Sequence, residues 1–216
     1  MKQFLAVGVV AAAVAASAQA NIRITEVMSS SISSSPTPDW IEVTNYGSSA
    51  VSLANWRMDD GSFNFAASAL LNGVASIGAG ETVIFIESAA GAAIPTFLTH
   101  WALSGIQVGY YSGSGLGFSS GGDGACLFDS TGAILSQVSF GAATNGSTFY
   151  YGWDAAGVID PSNNGLVSVV GTIGSQVTTL GPGGDTGSLG TTLGVIPAPG
   201  AIALLGLAGL AGRRRR

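Results

Sequence analysis

Between an apolar head and an apolar tail, hydrophobic and polar positions alternate in short blocks separated by turn formers, which predicts strands rather than helices. Asn21-Ile22-Arg23-Ile24-Thr25-Glu26-Val27 opens the series, apolar at every second position as far as Ile24. A serine-rich loop, Ser29 to Pro38, leads to Trp40-Ile41-Glu42-Val43-Thr44, a turn at Asn45-Tyr46-Gly47, and Ala50-Val51-Ser52-Leu53. Trp56-Arg57-Met58-Asp59-Asp60-Gly61 reads as a strand running into a turn. Gly78-Ala79-Gly80 then introduces the β-branched and aromatic run Glu81-Thr82-Val83-Ile84-Phe85-Ile86. Gly121-Gly122-Asp123-Gly124 turns into Ala125 to Phe128, and Asp129-Ser130-Thr131-Gly132 makes a hairpin-like return through Ala133 to Phe140. Outside the two ends no segment carries an apolar period of about 3.6, so the body is expected to be all-β.

The ends read differently. Lys2, the Ala/Val-rich run Phe4 to Ala16 and the small-x-small triplet Ala18-Gln19-Ala20 have the layout of a signal peptide over residues 1–20, whose removal leaves Asn21 first. At the other end an apolar run, Ala201 to Gly212, stops at Arg213-Arg214-Arg215-Arg216; arginines retained in the cytoplasm place everything before them outside. Twelve helical residues rise only about 18 Å against a hydrocarbon core of about 30 Å. Two readings therefore stay open. One is a weak tail anchor; the other is a processing signal, since the prolines of Pro197-Ala198-Pro199 remove two backbone donors and keep the chain extended, as a processing enzyme needs. Val195 to Ala201, the short apolar helix and Arg213 to Arg216 together resemble a bacterial PEP-CTERM sorting signal over 195–216, with Ala198 where the motif's glutamate stands. The resemblance implies recognition by an exosortase-type membrane processing enzyme. It also implies display at the cell surface or beyond it, held at least transiently by a short C-terminal transmembrane helix.

The strand units carry a second resemblance. Ile24-Thr25-Glu26-Val27, Asp39-Trp40-Ile41-Glu42-Val43, Asn45-Tyr46-Gly47, Val51-Ser52-Leu53, Trp56-Arg57-Met58-Asp59-Asp60 and Ile77-Gly78-Ala79-Gly80-Glu81 are similar in order and spacing to the lamin tail domain over residues 22 to about 141. That similarity implies an immunoglobulin-like β-sandwich, and Trp40 and Trp56 are large enough to fill the space between its two sheets. The domain is expected over 21–180. Its later part is harder to place: Phe149-Tyr150-Tyr151-Gly152-Trp153-Asp154 gives way to glycine and threonine, and from Gly181-Pro182-Gly183-Gly184-Asp185 the composition reads as a flexible stalk over 181–194.

Charge narrows the function. Only 9 % of the chain is charged, where about 25 % is usual, and the polar positions are filled by Gly, Ser, Thr and Asn, which suits an exported β-domain. From Asn21 to Pro199 two arginines, Arg23 and Arg57, face twelve acids, a formal charge of −10. Such a body has no means of neutralising phosphates, so nucleic acid is not an expected partner. Cys126 is the only cysteine and lies in the apolar run Gly124 to Phe128, where it reads as a buried, inert thiol without a disulfide partner.

Candidate chemistry is sparse. Gly117-Phe118-Ser119-Ser120-Gly121 fits a nucleophile-elbow pattern, but it lies in a Gly/Ser loop instead of between a strand and a helix, and the only histidine, His100, precedes it. One histidine and one cysteine cannot build a zinc site of usual composition. Carboxylates remain: Asp59 and Asp60 with Asp39 or Glu42, or Asp123 and Asp129 with carbonyls between them, could supply hard oxygen ligands for calcium. Neither set follows an EF-hand spacing, and turn-forming aspartates are the competing reading. No catalytic residue and no cofactor beyond this calcium option is expected. Three function classes follow. The first is a non-enzymatic surface or extracellular-matrix protein with an adhesive or structural role, meeting polysaccharide or surface protein. The second is a carbohydrate- or calcium-binding module using Tyr110, Tyr111, Tyr150, Tyr151 and Trp153; the third, least supported by motifs, is a hydrolase.

Overall fold

The alternation of the first strand breaks at Thr25 because a β-bulge sits there. β1 (Ile22–Met28) pairs antiparallel with β2 (Trp40–Asn45), Ile24 opposite Val43 but Glu26 opposite Glu42, the register slipping between Ile24 and Glu26. Ile22, Ile24 and Val27 thereby all reach the main core, while Glu26 turns to the other face of the sheet. A strand without the bulge would place Glu26 opposite Ile41, among the core residues, because a one-residue slip inverts every side chain that follows.

The computed structural model describes residues 21–32, 37–113, 115–154, 157–171, 176–178 and 184–191. After β1 and β2 come β3 (Val51–Ser52), β4 (Arg57–Asp59), β5 (Ala69–Leu70), β6 (Ser76–Ile77) and β7 (Thr82–Glu87). A short helix, α1 (Ile94–His100), precedes β8 (Gln107–Tyr111), β9 (Asp123–Phe128), β10 (Ile134–Phe140), β11 (Phe149–Trp153), β12 (Ile159–Val167), β13 (Gln176–Val177) and β14 (Thr186–Gly187). One sheet has the order β12-β11-β1-β2-β7-β8 and the other β10-β9-β4-β5; β3–β6 and β13–β14 form two small ladders. The apolar faces of the two large sheets meet: Ile41, Val43, Val83, Phe85, Phe149 and Tyr151 from the first pack with Met58, Ala125, Leu127, Val138 and Phe140 from the second. This is an all-β sandwich with a single α-helix among the described residues, in keeping with the expected architecture.

Three features depart from the sequence reading. Trp56 lies between the sheets, but Trp40 does not. It projects from the outer face of the six-stranded sheet into a second core with Met28, Ile84, Ile86, Phe97, Trp101 and Leu189, its ring set edge-on to Phe97 and Trp101 at 6.0 and 5.9 Å. The reason is parity, since Ile41 and Val43 face inward and their neighbours must face outward. The helix is the second. β7 and β8 run parallel, so the chain has to cross over between them, and α1 occupies that crossover with Pro95 in its first turn. Its buried face consists of Phe97 and His100, followed by Trp101 just past its end, too short a stripe to register as an apolar period. Third, residues 184–191, assigned by composition to a stalk, fold back over the outer face of the large sheet, where Asp185 to Leu189 are buried.

β11 and β12 complete the large sheet from outside the lamin-tail-like segment, with Phe149, Tyr151 and Trp153 entering the main core. The signal peptide, the sorting-signal residues Pro197, Ala198, Pro199 and Arg213 to Arg216, and the C-terminal apolar run lie outside the described residues. No helix among the described residues is long and apolar enough to cross a membrane.

Candidate functional site

The four aspartates proposed as calcium ligands each accept hydrogen bonds from turn and loop groups. Asp59 Oδ2 takes the Ser62 hydroxyl and the Asn64 N–H, both at 2.6 Å, and Asp60 Oδ1 takes the Ser62 N–H at 2.9 Å. Asp123 ties two loops together, Oδ1 accepting from Gly61 N and Oδ2 from Ser119 N at 2.9 and 2.7 Å. Asp129 accepts from Thr131 N and Oγ1 and from Ala133 N, which holds its carboxyl below the usual range. Asp123 and Asp129 stand at opposite ends of β9, about 20 Å apart for a six-residue strand, too far to share an ion. Glu42 belongs to the other sheet from Asp59 and Asp60, and no group of three or more His, Cys, Asp or Glu is assembled for a metal among the described residues. Millimolar calcium is accordingly expected to raise the melting temperature no more than sodium chloride at equal ionic strength. A saturable calcium isotherm lost in Asp59→Asn/Asp60→Asn would contradict this.

The remaining candidates are likewise built into the fold. Ser119 sits in a loop whose Gly121 N–H bonds back to its hydroxyl at 3.2 Å, while His100, on α1, faces Asp185. Cys126 is buried, and burial above all, with Asp59 nearby, pushes its thiol up to about 11. Of the five aromatics read as a possible binding platform, Tyr111, Tyr151 and Trp153 are buried; Tyr151 donates to Ser139 O at 3.2 Å and Trp153 Nε1 to Ile24 O at 2.9 Å. Tyr110 and Tyr150 are half-buried, so no exposed row of five rings exists. β11 is an interior strand of the sheet, which sends Phe149, Tyr151 and Trp153 inward together.

The unexpected chemistry lies on the outer face of the large sheet. Glu26 and Glu42 stand opposite each other in register, 1 % and 0 % exposed, and neither of the two described arginines is bonded to them. Arg23 is committed to the carbonyls of Ile22, Leu135 and Gly157 and to the Trp153 ring, and Arg57 to Ser68 and the Phe65 ring. Glu26 Oε1 accepts from Thr148 Oγ1 and, at 2.6 Å, from Ser188 N, while Glu26 Oε2 is buried without a partner. Glu42 Oε1 accepts from Thr25 Oγ1 at 2.7 Å and Oε2 from Gly190 N at 2.5 Å. Burial, and for Glu26 next the adjoining Glu42, holds both carboxyls well above the ordinary carboxylate range. Two ionised carboxylates about 5 Å apart repel by about 3 kcal/mol even at an effective dielectric of about 20, so the fold favours a proton on the pair.

The segment supplying Ser188 and Gly190 is pinned at its start by Asp185, fully buried, which accepts Ile32 N at 2.8 Å and meets His100 Nε2 at 3.2 Å. Thr186 extends a parallel bridge to Ser147, its N–H reaching Gly146 O at 2.7 Å. A Cβ on Gly187 would lie 2.8 Å from Leu189 Cδ1 and 3.0 Å from Glu26 Oε1, so a larger residue there would have to push those side chains aside. Sequence reasoning missed this site. Its one signal was an acidic residue at the position where the alternation of β1 breaks.

Two sheets closing on one core, with the strand order described, define a β-sandwich domain. The family model for the lamin tail domain matches residues 15–142, more than half of the chain, and the chain belongs to that family. No curated protein matches it.

Proposed function

We propose that this is a non-enzymatic, exported surface or extracellular-matrix protein, whose lamin tail sandwich is displayed outside the cell after sorting through its C-terminal segment. The observation that carries the reading is the combination of a lamin tail domain with a tail in which Pro197-Ala198-Pro199, a short apolar run and four arginines follow in order. The described part of the molecule is compatible with it. Its nucleophile and base candidates are enclosed in packing or turns, His100 against Asp185 and Cys126 within β9. A scaffold that spends its polar side chains on turns offers a stable display body with loops for contact. Its partners on this reading are an exosortase-type enzyme during sorting and polysaccharide or surface protein afterwards.

Intact-mass measurement on protein recovered from native cells, combined with fractionation, tests the reading. The expected product begins at Asn21, lacks Arg213 to Arg216 and occurs in the surface or extracellular fraction. Recovery of the full C-terminus from that fraction would leave a simple tail anchor, and an intracellular chain retaining Met1 would overturn export altogether.

A further inference from the structure

We propose that Glu26 and Glu42 are a proton-holding latch for the strap Asp185 to Gly190, closed while the pair shares a proton and released when both carboxylates ionise. The geometry makes the pair and the strap one unit. Glu42 takes the strap's Gly190 N–H on Oε2 and the Thr25 hydroxyl on Oε1, whereas Glu26 takes both the strap's Ser188 N–H and the Thr148 hydroxyl on Oε1, leaving Oε2 without a hydrogen-bond partner among the described residues. A proton on that oxygen removes one of the two like charges that the register sets opposite each other and ends the burial of an ionised, unpartnered acceptor. Without it, two enclosed charges have no counterion among the described residues, and lifting of the strap lets water reach them.

The surroundings contain little else that titrates. On β2, Glu42 is flanked across the ladder by Ile84 of β7, and Thr44 by Thr82; on β11, Glu26 is opposite Tyr150, with Thr148 and Ser168 beside it. The strap and α1 contribute Asp185 and His100, which face each other at the strap's other end. Direction follows from linkage. With both carboxyls raised in the folded state, the folded chain holds more protons than the unfolded chain over the interval from the ordinary carboxylate range up to the raised values. Strap closure is therefore complete at the acid end of that interval and weakens as pH rises through it. This inference goes beyond the display reading and stands without it; the strap happens to end just before Val195, where the sorting segment begins.

Hydrogen exchange of the full chain tests the latch, with protection corrected for the intrinsic pH dependence of exchange. Between about pH 6 and about pH 9, protection at Ser188 and Gly190 is expected to fall by roughly tenfold or more, while amides of the β2–β7 ladder hold. Glu26→Gln keeps an acceptor for Ser188 and leaves Glu42 as the only acid of the pair to ionise, so the fall in its strap protection should be clearly smaller over the same range. His100→Asn should leave the wild-type midpoint in place, separating the latch from the His100–Asp185 pair. Unchanged wild-type protection, or an equal fall in Glu26→Gln, overturns the proposal. Should Glu26→Gln fail to fold, carboxyl carbon resonances in the wild-type chain decide: titration of both glutamates in the ordinary range refutes the latch, and titration of at least one near neutrality supports it.

Discussion

A chain ending at residue 142, the limit of the lamin tail match, is expected not to fold. It would lose β11, which pairs with β1 through Glu26–Tyr150 and Val27–Phe149, and would leave that central strand with a bare edge. It would also lose Phe149, Tyr151 and Trp153 from the main core, where Phe140 stacks on Phe149 at 4.9 Å. Each large aromatic removed from a core costs about 3 to 5 kcal/mol, and a domain has only about 5 to 15 kcal/mol in hand. Far-ultraviolet circular dichroism should show no cooperative melt for the truncated chain, against a clear transition for the full chain. A transition within a few degrees of the full chain would mean that residues 143–191 are an accessory to the sandwich and not part of it.

Trp40→Ala is expected to destabilise by about 3 to 5 kcal/mol, and Trp56→Ala by a comparable amount, for different reasons. Trp56 fills space between the sheets, whereas Trp40 is the floor on which Phe97 and Trp101 of the crossover rest and against which Leu189 of the strap packs. Because the two belong to separate clusters, the losses should add in the double variant. Chemical denaturation followed by tryptophan fluorescence checks both statements. Trp40→Ala should in addition loosen α1 and the strap below the global transition, visible as lost exchange protection there. Melting within a few degrees of wild type for Trp40→Ala would show that the outer core contributes little.

Much of this fold was legible in the sequence because strand alternation is a local code. Ile41 and Val43, or Val83 and Phe85, declare a buried face by their own spacing, and Gly78-Ala79-Gly80 and Asp129-Ser130-Thr131-Gly132 mark turns by conformational preference alone. The order of such units was enough to bring the lamin tail resemblance into view, and the aspartates read as turn formers are indeed held by turn donors. The candidate site was not legible. Glu26 reaches Glu42 only because a bulge shifts the register of β1, a displacement that the sequence marks by nothing more than an acid where the alternation breaks.

What the sequence by itself determined is therefore the class: an all-β, acidic body with strands at named places and a main core of alternating apolar residues. Tertiary structure alone decided that the crossover and the strap cover Trp40 on the outer face of the sheet, that a segment of Gly, Ser and Thr returns to cover two buried acids, and that His100 meets Asp185 across the fold. The contacts responsible join positions 162 and 148 residues apart, Ser188 to Glu26 and Gly190 to Glu42, and they run through backbone N–H groups. Every residue but proline carries that donor, so composition cannot announce where it will be used; only the closed sandwich, by excluding water from two carboxylates, makes those two N–H groups matter.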